Sequence, residues 1–206
     1  MREEFDQVIK YLQKYPGRLS WRTKKNKPDI ATGESLEAIF EKFKTGRIDK
    51  IRLQTPKTVP DPIVHLIMEQ HYGYNPESKK INEKIHAESM SAEKIIGDFL
   101  EQYLAFKIRP FGWIWCSGSI VKAVDFIKRD GEKWISLQIK NRSNSENSAS
   151  KSVRENTDII KWHRKNAMTG ENEWKTFPDK SAASLLSEEE FIEFISKQIA
   201  KLKGER

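Results

Sequence analysis

The stretch that decides the fold is Ile120-Val121-Lys122-Ala123-Val124-Asp125-Phe126-Ile127, followed by Asp130-Gly131 and then Trp134-Ile135-Ser136-Leu137-Gln138-Ile139-Lys140. Two apolar runs separated by Asp-Gly predict a β-hairpin, because this dipeptide suits the positive φ angles of a tight turn. If Asp130 and Gly131 are the two turn residues, Arg129 pairs with Glu132. The first strand is then expected over 121–127 and the second over 134–140.

The same register sets Asp125 opposite Ser136 and makes Gln138 its diagonal neighbour, at roughly 7–8 Å between backbones. Because side chains alternate along a strand, Asp125, Gln138 and Lys140 are expected on one face. A metal ion between Asp125 and Gln138, with the Lys140 ammonium beside it, suits phosphodiester hydrolysis. A polar face that is simply exposed to solvent produces the same alternation, and both interpretations stay open on the hairpin alone.

Composition restricts the class of protein. The chain has 206 residues, with 37 Lys and Arg against 30 Asp and Glu and a net charge of +7. Excess positive charge favours a polyanionic partner. The single cysteine, Cys116, forbids an intramolecular disulfide, fits a reducing compartment and is expected to be a buried structural thiol. No signal peptide and no apolar stretch of about 20 residues is evident, so we expect a cytoplasmic protein.

Hydrophobic periodicity predicts helices first, then a small sheet, then a closing helix. Helices are expected over 2–15, 34–44, a segment starting near Ile63, and 81–108 with a break at 89–91. A strand is expected over 113–116, ahead of the hairpin. Ser187 and Glu190 form a capping box that begins the last helix. This order predicts an α/β (α+β-like) fold with a modest mixed sheet flanked by helices. We divide it into an N-terminal helical region, 1–80, packed on a core of 81–206.

Gly97 and Glu101 share one stripe of the helix that precedes the sheet, since they are four residues apart. Glycine within a helix destabilises the fold by about 0.5–1 kcal/mol relative to alanine, so a structural reason for Gly97 is expected. Close approach of the helix to the sheet is one reason, and it would bring Glu101 towards Asp125. A surface glutamate beside a tolerated glycine is the alternative.

A polar segment follows the second hairpin strand. Between Lys140 and Lys165 there are seven Lys or Arg and three acids. Asn and Arg side chains pair with base edges and phosphates, so we favour contact with nucleic acid over a flexible linker. The expected DNA-binding residues are Asn141, Arg142, Ser143, Asn144, Asn147, Ser148, Ser150, Lys151, Arg154, Lys161 and Arg164. The four histidines, at 65, 71, 86 and 163, show no metal-type clustering and are expected at the surface or in packing.

An acid on one strand and (D/E)-x-K on the next, after a helix that bears Glu, resembles the PD-(D/E)xK nuclease core. Val124 replaces the usual Pro, and Gln138 replaces the second acid. A Gln-x-Lys variant is known among restriction enzymes. The runs Ser91–Glu101, Gly112–Cys116, Lys122–Ile127 and Gln138–Asn147 resemble the SinI-like restriction endonucleases. The resemblance covers about residues 86–178.

The resemblance implies a role for each site residue. Asp125 would bind the metal, Gln138 would offer a neutral oxygen, and Lys140 would orient the attacking water and offset phosphate charge. Mg²⁺ keeps several waters, so few protein ligands suffice. The missing carboxylate at position 138 would be supplied by Glu101 or by Glu155, and this choice stays open.

The resemblance also implies a function: a homodimeric, Mg²⁺-dependent type II restriction endonuclease. Its double-stranded DNA substrate would carry a short palindrome, of GG(A/T)CC type, and a cognate DNA methyltransferase would be its genetic partner. Two rivals remain: a structure-selective nuclease such as a junction resolvase, and a non-catalytic DNA-binding module with a merely polar sheet face.

Overall fold

The computed structural model describes residues 1–21, 28–30, 36–48, 59–143 and 157–204. Its helices are α1 (Arg2–Lys14), α2 (Leu36–Ile48), α3 (Pro62–Gln70), α4 (Lys79–Ile108), α5 (Lys180–Ala183) and α6 (Glu188–Gly204). Its strands are β1 (Trp113–Trp115), β2 (Phe126–Asp130), β3 (Lys133–Arg142) and β4 (Ile159–Lys165). A mixed sheet flanked by helices confirms the predicted α/β class.

The four strands form one sheet in the order β1-β2-β3-β4. β1 pairs with β2, and β2 with β3, in antiparallel fashion, whereas β3 and β4 are parallel. Parallel neighbours need a long crossover, which the chain supplies between Arg142 and Ile159. The carboxyl ends of β3 and β4 therefore lie at the same edge of the sheet. The sequence pattern did not predict β4.

The hairpin differs from the predicted one by its register. Asp130 pairs with Lys133, so Gly131 and Glu132 form the turn, and Gly131 has a φ of +56°. The predicted pairing of Arg129 with Glu132 is therefore wrong; Arg129 pairs with Trp134. The shift along the partner strand is two residues, an even number, so the face that each side chain occupies is unchanged.

The predicted start of the first hairpin strand is also wrong, because β2 begins only at Phe126. The preceding segment turns instead of extending. Ser119 and Ala123 both have positive φ, at 51° and 53°, and such angles do not occur in a strand. Asp125 thus lies at the end of a tightly turned connection, immediately before β2.

Helix α4 runs without interruption from Lys79 to Ile108, so the predicted break at 89–91 is wrong. Serine lowers helix propensity by only about 0.5 kcal/mol, which a long helix tolerates. Of the two explanations of Gly97, the tolerated glycine is favoured, since a Cβ placed there would meet none of the described atoms within 4 Å. The N-cap half of the predicted capping box is confirmed, since the backbone N–H of Glu190 donates to Ser187 Oγ at 3.2 Å. The reciprocal bond is replaced, because the Ser187 N–H donates to Tyr103 Oη at 3.4 Å.

One compact unit comprises residues 1–49 and 100–206. Helix α1 covers one face of its sheet, where the Tyr11 ring meets Trp134 edge-on at 5.7 Å. The core on this face also contains Phe5, Val8, Leu12, Cys116, Ile120, Val124, Ile127 and Ile159. An aromatic cluster packs elsewhere in the unit, and it contains Tyr103, Trp113, Trp162, Trp174, Phe177 and Phe191.

Residues 50–99 form the second unit, which contains α3 and the first part of α4. The Asp61 side chain accepts a hydrogen bond from the backbone N–H of Ile63 and so caps α3. A cleft of about 320 Å³ lies within this unit, between residues of 60–74 and of 82–90. The domain boundary at residue 80 stays a prediction. Among the described residues, no helix is long and apolar enough to span a membrane.

Candidate active site

Asp125 is fixed by backbone hydrogen bonds on both sides. Its carbonyl oxygen accepts from the backbone N–H of Cys116 at 2.8 Å, just past β1, and its own N–H donates to Leu137 O at 2.8 Å on β3. The carboxylate is held as well, because Oδ2 accepts from the backbone N–H of Ile139 at 2.7 Å. Asp125 therefore has a defined position between the end of β1 and the middle of β3.

Burial raises the pKa of Asp125 to about 6. The hydrogen bond from the Ile139 backbone N–H and the positive charge of Lys140 act in the opposite direction and favour the carboxylate. A carboxyl group with a raised pKa beside a single cation is typical of a functional site rather than of a surface ion pair.

Gln138 is the most informative side chain of β3. It is 2 % exposed, and its amide oxygen Oε1 is buried with no hydrogen-bond partner among the described residues. Continuing the β2–β3 register by one residue sets Asp125 opposite Gln138. Leaving a buried acceptor unpaired costs about 1–3 kcal/mol, so an oxygen of this kind points to a ligand that the protein alone does not contain.

Ser136 lies on the same face as Gln138, but its hydroxyl is fully paired. Ser136 Oγ is 2.9 Å from Tyr11 Oη and accepts from Arg18 Nη1 at 3.0 Å. Arg18 also donates to Asp158 Oδ1 at 2.8 Å, just before β4. The buried serine of this sheet face is thus satisfied by α1 and the turn after it, and among the described residues only Gln138 has a buried, unpaired side-chain oxygen.

Lys140 is half-buried, and it makes no hydrogen bond or ion pair with other side chains in the described parts of the chain. The parallel register places two further polar residues beside this pair. Lys161 is the direct partner of Gln138, and His163 is the direct partner of Lys140. Partners in a parallel pair point to the same face, so β4 extends the polar surface of β3.

Glu101 on α4 is also brought to this region. Its Oε2 accepts a hydrogen bond from the indole N–H of Trp115 at 3.0 Å, at the end of β1. The next residue, Cys116, is buried as expected, and its thiol pKa is raised by burial and by the carboxylates of Asp125 and Glu101. The negative charges of Asp125 and Glu101 thus both raise the pKa of the Cys116 thiol, so both carboxylates lie in its neighbourhood.

The predicted DNA-contact residues after β3 divide into three groups. Asn141 Oδ1 accepts from Arg164 Nε at 3.0 Å, and Ser143 Oγ accepts from the backbone N–H of Ala167 at 2.9 Å, so both are engaged within the fold. Arg142 is exposed. The others, together with Glu155, lie outside the described residues: Asn144, Asn147, Ser148, Ser150, Lys151 and Arg154.

Arg164 is 7 % exposed, and its guanidinium is bound to the Glu188 carboxylate as well as to Asn141. These contacts favour a structural role on the side of α6. The contact of Arg164 with DNA that the sequence predicts is untested, and the salt dependence of DNA binding distinguishes it from the structural role.

Comparison with known proteins shows which family the chain resembles. The model of the SinI restriction endonuclease family matches residues 1–201. The chain belongs to the SinI restriction endonuclease family. It is 39 % identical over 204 residues to "Type II restriction enzyme SinI" of Salmonella infantis, covering 98 % of this chain and 88 % of that one. It is also 39 % identical over 202 residues to "Type II restriction enzyme Eco47I" of Escherichia coli, covering 97 % and 87 %.

Membership in this family implies a divalent metal, and the residues present fit one. The described part of the chain contains no cluster of three His, Cys, Asp or Glu side chains suited to a metal ion. An amide oxygen is nevertheless a normal ligand of a hard cation, and Mg²⁺ retains several waters. Asp125 and the unpaired Gln138 oxygen are the two oxygen atoms that would hold such an ion, and Glu101 or Glu155 would supply a third.

The family match also extends the resemblance, which covered only residues 86–178, over nearly the whole chain. What the sequence pattern missed is β4 and, with it, the position of His163. The alternation Ile159, Lys161, His163 was the available signal, because every second residue of a strand shares a face. It was hidden by Trp162 and Arg164, which are buried on the opposite face.

Proposed function

We propose that this chain hydrolyses phosphodiester bonds of double-stranded DNA at a short palindromic site, of GG(A/T)CC type, as an Mg²⁺-dependent type II restriction endonuclease. The observation that carries the proposal is the buried, unpaired oxygen of Gln138 beside Asp125 and two residues before Lys140. A purely polar sheet face would leave such an oxygen in water, where it has no cost.

The roles of the chain's own residues follow from their positions. Asp125 and Gln138 would hold the metal, which would supply electrostatic stabilisation of the charge that develops on the phosphodiester. The backbone N–H of Ile139 on β3 donates to the Asp125 carboxylate and so fixes its orientation. Lys140 would orient the attacking water and offset the negative charge of the transition state, since its ammonium has no other partner among the described residues.

Recognition of DNA is proposed for the segment that begins where β3 ends. Arg142 is exposed there, and Lys161 lies on the active face beside Gln138. Loops at strand ends are held by a rigid scaffold and often carry binding residues. Asn144, Asn147, Ser148, Ser150, Lys151 and Arg154 are kept in this proposal as base or phosphate contacts.

A homodimer is proposed because each chain carries one catalytic constellation, whereas a duplex has two strands of opposite direction to cut. A two-fold symmetric enzyme also matches a palindromic site. Light scattering of the protein–DNA complex would contradict this if it gave the mass of a single chain. A cytoplasmic location and a cognate methyltransferase that protects host DNA complete the proposal.

The test is cleavage of unmethylated phage DNA by wild-type protein and by Lys140→Ala, with Mg²⁺ or with EDTA. We expect discrete fragments that need Mg²⁺ and a loss of at least about 100-fold in Lys140→Ala, with DNA binding retained. Lys133→Ala is the matched control, because Lys133 is exposed at the hairpin turn. Intact DNA with folded wild-type protein contradicts the proposal, and cutting only of branched DNA would favour a structure-selective nuclease.

A further inference from the structure

His163 on β4 lies beside the proposed catalytic residues, and no role has been given to it so far. It is the direct parallel partner of Lys140, and both side chains point to the face that carries Gln138. Neighbouring strands are about 4.8 Å apart, so the backbones of His163 and Lys140 are one strand spacing apart and their side chains leave the sheet side by side. Both residues are half-buried near the carboxyl ends of their strands.

Arg164 and Ser143 near His163 have partners within the fold, whereas the described residues offer none to the His163 side chain. Arg164 is bound to Glu188 and Asn141, and Ser143 is bound to Ala167. The side chain of His163, like that of Lys140, makes no hydrogen bond or ion pair within the described parts of the chain. Two adjacent donors that have no side-chain partner among the described residues are both available to one acceptor group of a bound substrate.

The sheet order sets the position of His163 relative to the other site residues. Asp125 lies on the β2 side of β3, whereas His163 lies on the β4 side. His163 is therefore separated from Asp125 by the whole width of β3, whereas Lys140 is its direct partner. An imidazole always has at least one N–H donor, in either charge state, and a non-bridging phosphate oxygen is the acceptor that Lys140 would also bind.

We propose that His163 donates a hydrogen bond to a non-bridging oxygen of the scissile phosphodiester and holds it against Lys140. This inference rests on the proposed nuclease function. A single phosphate contact contributes little to the total affinity for DNA. Negative charge on the phosphate grows as the water attacks, so the contact acts mainly on the rate of the chemical step.

The experiment measures single-turnover cleavage at saturating enzyme, with affinity for the same duplex measured in EDTA. The variants are His163→Ala and His163→Gln, which keeps an N–H donor. His86→Ala is the control, because His86 is exposed in the unit of residues 50–99. Melting temperatures establish that all variants are folded.

We expect His163→Ala to slow cleavage about 10- to 100-fold, as for loss of a hydrogen bond to a charged group, with affinity changed less than about threefold. His163→Gln should recover most of the rate, and His86→Ala should match the wild type. Wild-type cleavage with an unchanged His163→Ala rate overturns this inference alone, as does a Gln variant as slow as the Ala variant. Absence of cleavage by folded wild-type protein overturns the proposed function as well.

Discussion

Gln138 carries the clearest conflict between stability and function at the level of one residue. Its unpaired oxygen is a cost to the folded state, because the unfolded chain pairs it with water. Methionine has a similar length and no amide, so Gln138→Met removes the unpaired acceptor while filling the same space. We expect the free energy of unfolding to rise by about 1–3 kcal/mol and Mg²⁺-dependent cleavage to be lost. Urea denaturation and plasmid cleavage measure the two effects.

Gln138→Glu is the informative companion, because it restores the acid of the more usual (D/E)-x-K pattern. An ionised carboxylate at a 2 % exposed position without metal is costly, so this variant should be less stable than the wild type in EDTA. Mg²⁺ should recover that loss, since binding to the folded state alone stabilises it. A Gln138→Met protein that is less stable and still cleaves would contradict the role given to this oxygen.

At the scale of elements, the turned connection before Asp125 is held by helix α2. A Cβ placed on Gly46 of α2 would lie 2.2 Å from the backbone nitrogen of Gly118, and one on Gly118 would lie 2.2 Å from Lys42 O. Backbone therefore packs directly on backbone, and neither position has space for a side chain. The Ser117 hydroxyl adds a hydrogen bond to Phe43 O at 2.7 Å.

Two glycine-to-alanine variants separate this packing from helix propensity. Gly46→Ala should lower the free energy of unfolding by about 3 kcal/mol or more, because backbone atoms must move apart. Gly97→Ala, also within a helix, meets nothing within 4 Å and should raise it by about 0.5–1 kcal/mol. Urea denaturation at equal protein concentration measures both. Equal effects of the two substitutions would show that α2 does not pack against the 117–119 turn as described.

The contrast between these elements explains what the sequence could predict. The face shared by Asp125, Gln138 and Lys140 depends only on strand alternation, so it survived a register error of two residues. The start of β2 and the register depend on backbone angles at Ala123 and Gly131, which apolar patterning does not encode. Strand β4 is stabilised by parallel pairing with β3, a long-range contact, and its own alternation is obscured by Arg164, a cation that is buried on the opposite face. Likewise, the pairing of His163 with Lys140 could not be foreseen.

At the scale of the whole molecule, the net charge of +7 is a poor guide to where DNA binds. Several basic side chains form ion pairs with acids within the fold: Arg18 with Asp158, Arg47 with Glu4, Lys128 with Asp179 and Arg164 with Glu188. Each such pair is neutral, so the excess positive charge resides on other residues. The accessible cations near β3 and β4, above all Arg142, are those expected to meet phosphates.

Salt dependence distinguishes the two kinds of arginine. Each phosphate neutralised by the protein releases a counterion, so log K for DNA falls linearly with log salt concentration. Arg142→Ala should reduce the magnitude of this slope by about one without changing the melting temperature, because Arg142 is exposed. Arg164→Ala should leave the slope unchanged and lower the melting temperature, because it leaves the Glu188 carboxylate without the cation that it binds in the wild type. Fluorescence anisotropy of a labelled duplex between 50 and 200 mM salt measures the slopes. A reduced slope in the Arg164 variant, or an unchanged one in the Arg142 variant, would place the DNA on the side of α6 instead of at the end of β3.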